Sequence, residues 1–460
     1  MEWLKYHSKL FKQKKETLKM EYEITNFCEF DKYASVAYCG IHKERMCKNL
    51  GDITKVKKAD VKPFNVLVGG SPCQDFSVAG LNKGCEWICR DCGCEYNPIT
   101  VKYNKRKYCP NCSGDDIDKT RSSLLIYYLQ FVRNFKPNFG VYENVPGIMS
   151  KRNIDTFNIF IDELKSYGYN VYYKVLNGKD YGIPQNRERV FVLYIKKDLD
   201  NGKFRFPKEK PLKIKLNDLT DEDVNEKYYL SKEAMSKFVP FGKIKGVTNI
   251  VGCAKVTKTG KMHKSDMVHL NSDFSDTLGA KDYKGAYKIM EQNEDNFKAI
   301  GFLKKSEDGI KHQSNLVYSD NNIVRTLNAV DHKSPVKITQ NGDKEFPFRI
   351  RNLTPNEYFR LMGFSDADYA IARKMLIKYC YNGKDKTQSQ MYKMAGNSII
   401  VNCPYYILVE LYKVMPYLFK DVKICSLFSG IGAFEKAFKL FYDKINGNNL
   451  NCNKKKVQIT

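Results

Sequence analysis

Over the first 200 residues, apolar positions fall into short runs separated by amphipathic stretches. "YEITNFC", "FNVLVGG", "FGVYENV", "YNVYYKVL" and "RVFVLYI" have the length and the β-branched and aromatic content of strands. Between them, "SSLLIYYLQFVRNF" and "NIDTFNIFIDELKSYG" repeat their apolar residues at helical spacing. Alternation of this kind predicts an α/β domain on a doubly wound, mostly parallel sheet. Order returns after Pro347. In "RNLTPNEYFRLMGF", Thr354 is set to cap a helix, with Pro355 in its first turn and Glu357 three residues after the cap. Tyr358, Leu361 and Met362 supply its apolar face and Gly363 closes it. "QMYKMAGNSIIVNCPYYILVELYKVM" reads as one further helix. The final patterned stretch, "KICSLFSGIGAFEKAF", predicts a strand from Ile424 to Phe428, a turn at Gly430 and Gly432, and a helix. That helix carries Phe434, Ala437, Phe438 and Phe441 on one face. Nucleotide-binding sheets usually begin with such an element; here it stands near the end of 460 residues.

From Asn201 to Phe346 the texture becomes charged, Asn- and Lys-rich and weakly periodic, which predicts a separate, loop-rich domain. Inside it, "TLGAKDYKGAYKI" from Thr277 and "TLNAVDHKSPVKI" from Thr326 share Thr, Leu, Ala, Asp, Lys, Lys and Ile at an offset of 49 residues. Two copies are too few for a solenoid. A duplicated strand-turn unit and chance similarity in a Lys-rich segment both account for the match.

Composition narrows the class. Lys plus Arg total 77 against 52 Asp plus Glu, a net charge of +25, which suits a phosphate-covered partner. Codon bias in an AT-rich genome explains the same excess. The first stretch lacks a signal-peptide core and no window approaches ~18 consecutive apolar residues, so secretion and membrane spanning are not expected. A cytoplasmic protein is the expectation. Fifteen cysteines, an odd number, argue against a disulfide framework and for thiols, a metal site or a nucleophile.

Three stretches carry candidate chemistry. "VLVGGSPCQDFSVAG" delivers Ser71, Pro72 and Cys73 onto a polar loop at a strand's carboxyl end, where open α/β sheets bind ligands; a buried, inert cysteine is the bland alternative. "VYENVPG" sets Glu143 and Asn144 at another strand end, where a simple turn would also explain them. "DYGIPQNRERVFVLYI" alternates Gln185, Arg187 and Arg189 as a strand starts, which suits phosphate or carbonyl recognition or an exposed sheet edge. After Cys73, "CRDC" and "CPNC" place Cys89, Cys92, Cys109 and Cys112 in a C-x2-C-x16-C-x2-C pattern. Paired knuckles at this separation fit tetrahedral structural zinc, with Cys85 or Cys94 able to replace a ligand and a cluster of free thiols as the alternative.

In this spacing the chain resembles the DNA cytosine-5 methyltransferase family. The resemblance rests on "SLFSGIGAFE", "NFCEFDKYA", "GDI", "GSPCQDFSVAG", "RSSLL", "YENVPG", "DYGIPQNRER", "RNLTPNEYFRLMGF" and "AGNSI", and covers most of the chain outside 201–346. It implies a Rossmann-like S-adenosylmethionine-dependent methyltransferase sheet in 1–200, with a zinc-ribbon insertion at about 85–115. A target-recognition domain would fill 201–346, and the fold would be completed by 347–460. The family's usual order begins with the "SLFSGIGAFE" element, so the resemblance implies a circularly permuted member whose opening strand and helix, at 422–442, come last and insert centrally. Truncation at about Val422 would then remove both cofactor binding and sheet integrity.

What the resemblance implies for chemistry is specific. Cys73, as thiolate, would add to C6 of a flipped cytosine, and Glu143 would hydrogen-bond or protonate N3. Asn144 would brace that loop, Arg189 would contact the flipped cytidine and its phosphate, and Gln185 and Arg187 would shape the pocket. S-adenosyl-L-methionine would meet Phe428, Gly430, Gly432, Glu29, Asp52, Pro72, Leu124, Asn397 and Ser398. Double-stranded DNA is the implied partner and a monomer the implied state. Lys102, Lys105, Arg106 and Lys107, between the cysteine knuckles, are expected to grip the DNA backbone beside the flipped base. A transfer-RNA cytosine-5 methyltransferase and a catalytically silent DNA-binding protein remain as competing readings, and the recognition sequence, host and any restriction partner are not legible.

Overall fold

The computed structural model describes residues 20–72, 86–120, 122–229, 231 and 348–447 and, between 238 and 341, the backbone of short strands only. Its centre is a six-stranded sheet of β1 (Tyr22–Cys28), β2 (Val66–Gly69), β3 (Phe139–Asn144), β4 (Tyr169–Asn177), β5 (Glu188–Lys196) and β6 (Val422–Leu427), in the order β1-β6-β2-β3-β5-β4. All pairings are parallel except those of β5, which runs antiparallel to β3 and β4. Successive side chains of a strand point to opposite faces, and the two cores follow that alternation. Val66, Val68, Val141 and Ile424 point into one cluster, while Leu67, Tyr142, Cys425 and Leu427 point into the other. Covering both faces explains why β2 and β3 are apolar or buried throughout rather than alternating.

On the first face pack α1 (Lys32–His42), α4 (Pro355–Leu361), α6 (Gln388–Asn397), α7 (Asn402–Val414) and α8 (Ala433–Ile445); α2 (Leu125–Phe135) and α3 (Ile154–Ser166) cover the second. The expected capping box of α4 is present, with Thr354 and Glu357 bonding reciprocally. The last strand, β6, lies between the first two, Ile424 pairing with Ile24 on one side and Val66 on the other. The end of α8 meets the start of β1: Met20 N–H donates to Asn446 Oδ1 at 3.0 Å, and Asn446 Nδ2 donates to the Met20 carbonyl at 2.8 Å.

Three sequence expectations shift. The helix expected over "QMYKMAGNSIIVNCPYYILVELYKVM" is two, α6 and α7, because Arg187 takes the Gly396 and Ser398 carbonyls at 3.1 and 2.7 Å and diverts them from a continuing helix. Pro404, without an N–H, is then accommodated in the first turn of α7. The strand expected to reach Phe428 stops at Leu427, since Phe428 is left-handed at φ 54°. The segment after Asn201 still belongs to the body, with Phe204, Leu216 and Leu219 in the main core. Helix α5 (Asp366–Cys380) buries only Asp368, Ala372 and Leu376, a pattern too sparse to announce itself as amphipathic. Most of 230–347, including all but the last two residues of each repeat segment, and the tails 1–19 and 448–460 lie outside the described residues.

The turn entering α8 is tight against α1. Gly432 sits at φ 82°, and a Cβ there would lie 2.0 Å from His42 Nε2. That nitrogen lies 3.0 Å from the Ile431 carbonyl, so the neutral ring carries its proton there, and burial holds its pKa down to about 4. An unfolded histidine titrates near pH ~6.5, so the unfolded chain binds the extra proton in that interval. The stability contributed by neutral His42 is complete above the unfolded pKa and is lost as pH falls toward the folded value. Relative to His42→Gln, the wild type should therefore lose about 2 kcal/mol of unfolding free energy between neutral pH and pH ~4, allowing for partial exposure of the ring. Denaturant titrations at both pH values check this; a pH-independent difference would show that the ring does not titrate.

Candidate active site

The parallel strands β2 and β3 end side by side, and their ends carry the sequence-predicted acid and amide. Gly70 passes so close to β3 that a Cβ would lie 2.6 Å from the Glu143 carbonyl and 2.7 Å from its carboxylate, so only glycine fits. Next, buried Ser71 places Oγ 2.7 Å from the Tyr142 hydroxyl. The Asn144 amide donates to that hydroxyl at 2.7 Å and to the Ser71 carbonyl at 3.2 Å, and accepts from Val145 N–H at 2.9 Å. Tyr142, Ser71 and Asn144 thus lock two strand ends together immediately before Pro72. Cys73, Cys85 and the polar loop from Gln74 lie outside the described residues.

Glu143 is buried against Arg189, whose Nε lies 3.0 Å from its carboxylate. Burial raises the Glu143 pKa, and the two guanidiniums of Arg189 and Arg187 oppose that rise. Such a carboxyl is poised to hold or give a proton beside a fixed positive charge. Gln185 and Arg187 are drawn elsewhere. Both precede β5 and are buried. Gln185 donates to the Leu361 carbonyl at 2.7 Å, and Arg187 ties the break between α6 and α7 to the sheet. They position the segments around Glu143.

Around the ends of β1 and β6 a second cluster forms. Glu29 accepts from Gly430 N–H at 2.7 Å and from Asp31 N–H at 2.8 Å, bridging β1 to the turn after β6. Burial raises its pKa, against the pull of those N–H donors. Phe428, in its left-handed conformation, and Leu124 both pack, partly buried, against the α2/α3 core. Asp52 caps its own turn by accepting from Thr54 N–H at 3.0 Å and the Thr54 hydroxyl at 2.8 Å. Ser398 is buried and Asn397 exposed at the end of α6. Asn49, missed by sequence reading, holds Glu29 by both main-chain groups at 3.0 Å and Gly51 N–H at 2.9 Å. A half-buried acidic side chain just past a strand end, bonded to a glycine turn at a helix start, fits the ribose and chain of a nucleoside cofactor. Tyr142 was also missed, because inside an apolar strand its hydroxyl looks like that of any core tyrosine.

The cysteine knuckles form one cluster. Sγ atoms of Cys89, Cys92, Cys109 and Cys112 all lie within 4.8 Å of one another, with Cys89 to Cys112 at 3.5 Å and Cys92 to Cys109 at 3.7 Å. Zinc-thiolate bonds of about 2.3 Å in a tetrahedron imply sulfur separations of about 3.8 Å. Backbone N–H groups of Asn111 and Gly114 donate to Cys109 and Cys112 sulfurs at 3.4 Å, as thiolate ligands require. Cys94 stands outside the cluster.

The module carrying these cysteines docks along α3. Asn97 donates to Thr156 Oγ1 at 2.7 Å, Arg106 is buried in an ion pair with Glu163, and the Arg133 guanidinium stacks 3.9 Å over Tyr103. Helix α3 starts just after the carboxyl end of β3, so Glu163, about 13 Å along, approaches the opposite edge of the sheet. Arg133, late in α2 just before β3 begins, marks the same edge. The expected grip on DNA beside the flipped base is therefore corrected: Arg106 faces inward, and exposed Lys102, Lys105 and Lys107 lie toward the edge remote from Glu143.

Comparison with known proteins identifies the family. The C-5 cytosine-specific DNA methylase family matches residues 10–90 and 112–413. The orphan methyltransferase M.SPRI of Bacillus phage SPR is 27% identical over 453 residues, covering 85% of this chain and 92% of its own. Orphan methyltransferase M.SPBetaI of Bacillus phage SPbeta is 32% identical over 249 residues, 48% of this chain and 56% of that one, so the chain spans little more than half of that relative. Type II methyltransferase M2.ScrFI of Lactococcus lactis subsp. cremoris is 34% identical over 192 residues, 42% of this chain and 45% of its own. Among solved structures, the Entamoeba histolytica methyltransferase EhMeth superposes with a TM-score of 0.45 at 14% identity, over 88% of this chain and 92% of that one. With its motif-bearing strand ends assembled on one sheet and the family match spanning most of its length, the chain belongs to the C-5 cytosine-specific DNA methylase family.

Proposed function

We propose that the protein is a DNA cytosine-5 methyltransferase that flips a cytosine out of a duplex site and methylates its C5 after attack by Cys73 on C6. The observation that carries this reading is the juxtaposition of Glu143, paired with Arg189, and the Tyr142-Ser71-Asn144 lock directly before Cys73. Cytosine C5 is a weak nucleophile, so a thiolate must first add to C6 and push electrons toward C5. A carboxyl with a raised pKa, Glu143, would meet the charge that develops at N3, and Arg189 would hold that carboxyl in place. Asn144 would hold the strand end from which Cys73 is presented. After transfer, loss of the C5 proton and elimination of the thiol restore the ring.

S-adenosylmethionine, when bound, supplies the methyl group; Glu29 would take its ribose hydroxyls, Asp52 its adenine amine, and Phe428, Gly430, Gly432, Pro72, Leu124, Asn397 and Ser398 would line its site. Cys89, Cys92, Cys109 and Cys112 would hold a structural zinc ion away from the reaction. The chain is further read as a circular permutant. The family match stops at residue 413, before β6 and α8, and the bonds between Met20 and Asn446 join the two ends that a conventional order would connect. The match to the C-5 cytosine-specific DNA methylase family favours DNA over RNA as substrate.

Incubation of the purified chain with duplex DNA and methyl-labelled S-adenosylmethionine should place label on cytosine C5. Cys73→Ser should abolish it, by at least about a thousandfold, while retaining DNA binding. Label on transfer RNA alone would sink the DNA reading. Tyr142→Phe should lower the single-turnover rate by about tenfold without changing S-adenosylmethionine affinity, since one hydroxyl holds both strand ends; an unchanged rate would make that contact merely structural. Elemental analysis should find one zinc per chain. Cys109→Ser should lose it and lower the melting temperature by roughly 5 °C, with DNA affinity held within about twofold because the basic turn docks away from Glu143.

A further inference from the structure

Helix α5 packs along α1 in the opposite direction. A Cβ on Gly40, late in α1, would lie 2.5 Å from Met375 Cγ and 3.0 Å from Ile371 Cγ2, in the middle of α5. At the other end, Tyr33 in the first turn of α1 stacks on Tyr381, just past the end of α5, with ring centroids 5.7 Å apart. Glycine at the crossing lets the two helices approach closely. Because α1 starts just after β1 ends, its first turn lies on the sheet's carboxyl edge. The antiparallel packing therefore brings the last turn of α5 to that edge as well, the edge that bears Glu143, Asn144 and Glu29.

The corner formed there is basic and aromatic. Lys32, Lys378, Tyr379 and Lys384 are exposed. Lys32 Nζ lies 5.1 Å over the Tyr33 ring and Lys378 Nζ 4.9 Å over the Tyr379 ring, so the rings support both ammonium groups at the surface. The carboxylates nearby are already committed. Asp31 accepts from Lys393 at 2.8 Å and from the N–H groups of Tyr33 and Ala34, and Asp385 pairs with Arg373. Lys32, Lys378 and Lys384 pair with no carboxylate among the described residues. Lysines elsewhere on the body are neutralised within a turn of helix, Lys48 by Glu44, Lys413 by Glu410 and Lys439 by Asp443. Since α5 buries only Asp368, Ala372 and Leu376, most of its surface is open to a partner from outside.

We propose that this corner of α1 and α5 holds the phosphate backbone of the substrate duplex outside the target site, without regard to sequence. The inference rests on the DNA methyltransferase reading. Strand β1 stands three places from β3 in the sheet, about 14 Å at the usual strand spacing. Helix α5 lies a further interhelical distance, about 10 Å, beyond α1. The corner is therefore roughly 20 Å from Glu143, or about six base pairs along a duplex lying over the carboxyl edge. Unpaired ammonium groups at that distance meet phosphates that flank the site. Such contacts carry no sequence information, but they add affinity and fix the duplex in place while one base is withdrawn from it. Position distinguishes this corner from the equally basic turn at Lys102, Lys105 and Lys107, which lies toward the remote edge.

Two triple variants of the full chain test this: Lys32→Gln, Lys378→Gln and Lys384→Gln at the corner, and Lys102→Gln, Lys105→Gln and Lys107→Gln on the remote edge. Affinity for a duplex extending well past the corner is measured as a function of salt. Each lost phosphate contact takes about 0.9 from the slope of log affinity against log salt. The corner variant should therefore lose about 2.7 and bind at least about tenfold more weakly near physiological salt, while the remote variant keeps the wild-type slope. On a duplex trimmed to about four base pairs either side of the methylated cytosine, the corner variant should bind and react as the wild type does. An unchanged slope, or an equal loss in both variants, overturns the proposal and leaves the methyltransferase intact. A loss that persists on the trimmed duplex also overturns it, since the lysines would then act at the target site. If the wild type neither binds nor methylates duplex DNA, the methyltransferase reading itself fails. Should the triple variant not fold, Lys378→Gln alone decides, with an expected change in slope of about 0.9.

Discussion

The placement of β6 between β1 and β2 is the constraint on which the rest depends. A strand made at the end of the chain completes the sheet between two strands made near its beginning. Until it docks, β1 and β2 have no shared partner, the turn holding Phe428 and Gly430 has no place, and Glu29 has no Gly430 N–H to meet. Pairing of such high sequence separation carries a large loop-closure term and is expected to form late. The bonds between Met20 and Asn446 then close the two ends of the body upon each other.

Chemistry is concentrated where this sheet presents its carboxyl ends. Two clusters emerge there, one around Glu143, Asn144 and Ser71, the other around Glu29 and Gly430. Each is held by bonds between neighbouring elements: Tyr142 between two strands, Asn49 behind Glu29, Arg187 and Gln185 reaching from the sheet to the helices after Pro347. Polar groups of this kind spend hydrogen bonds on neighbouring strands, turns and helices, which fixes the side chains at the strand ends more tightly than apolar packing would. The cysteine module has a different part. With Trp87 and Ile99 buried in the α2/α3 core and Arg106 paired to Glu163, it is fastened behind the sheet rather than over its reactive edge.

Much of this was legible in the residues, for identifiable reasons. Strands β2, β3 and β5 and helices α2, α3 and α8 were legible because each buries a continuous run or stripe, and the largely exposed edge strand β4 through its β-branched and aromatic residues. Helix α4 was legible through local chemistry, the reciprocal bonding of Thr354 and Glu357. The four clustered cysteines were legible because two C-x2-C knuckles at this separation can fold back upon each other and bring four sulfurs together. Helix α5 was not, since it buries three side chains only, and neither was the break between α6 and α7, which depends on Arg187 from some 200 residues earlier in the chain.

By itself, the sequence determined most of the elements, the family and the identity of the groups at the strand ends, because periodicity, caps and short motifs are local properties of consecutive residues. Tertiary structure alone decided what those groups touch. It turned Arg106 inward and left Lys102, Lys105 and Lys107 on the remote edge, and it made Tyr142 a tie between the ends of β2 and β3. Those outcomes depend on distances between residues far apart in the chain, and only a closed sheet sets such distances.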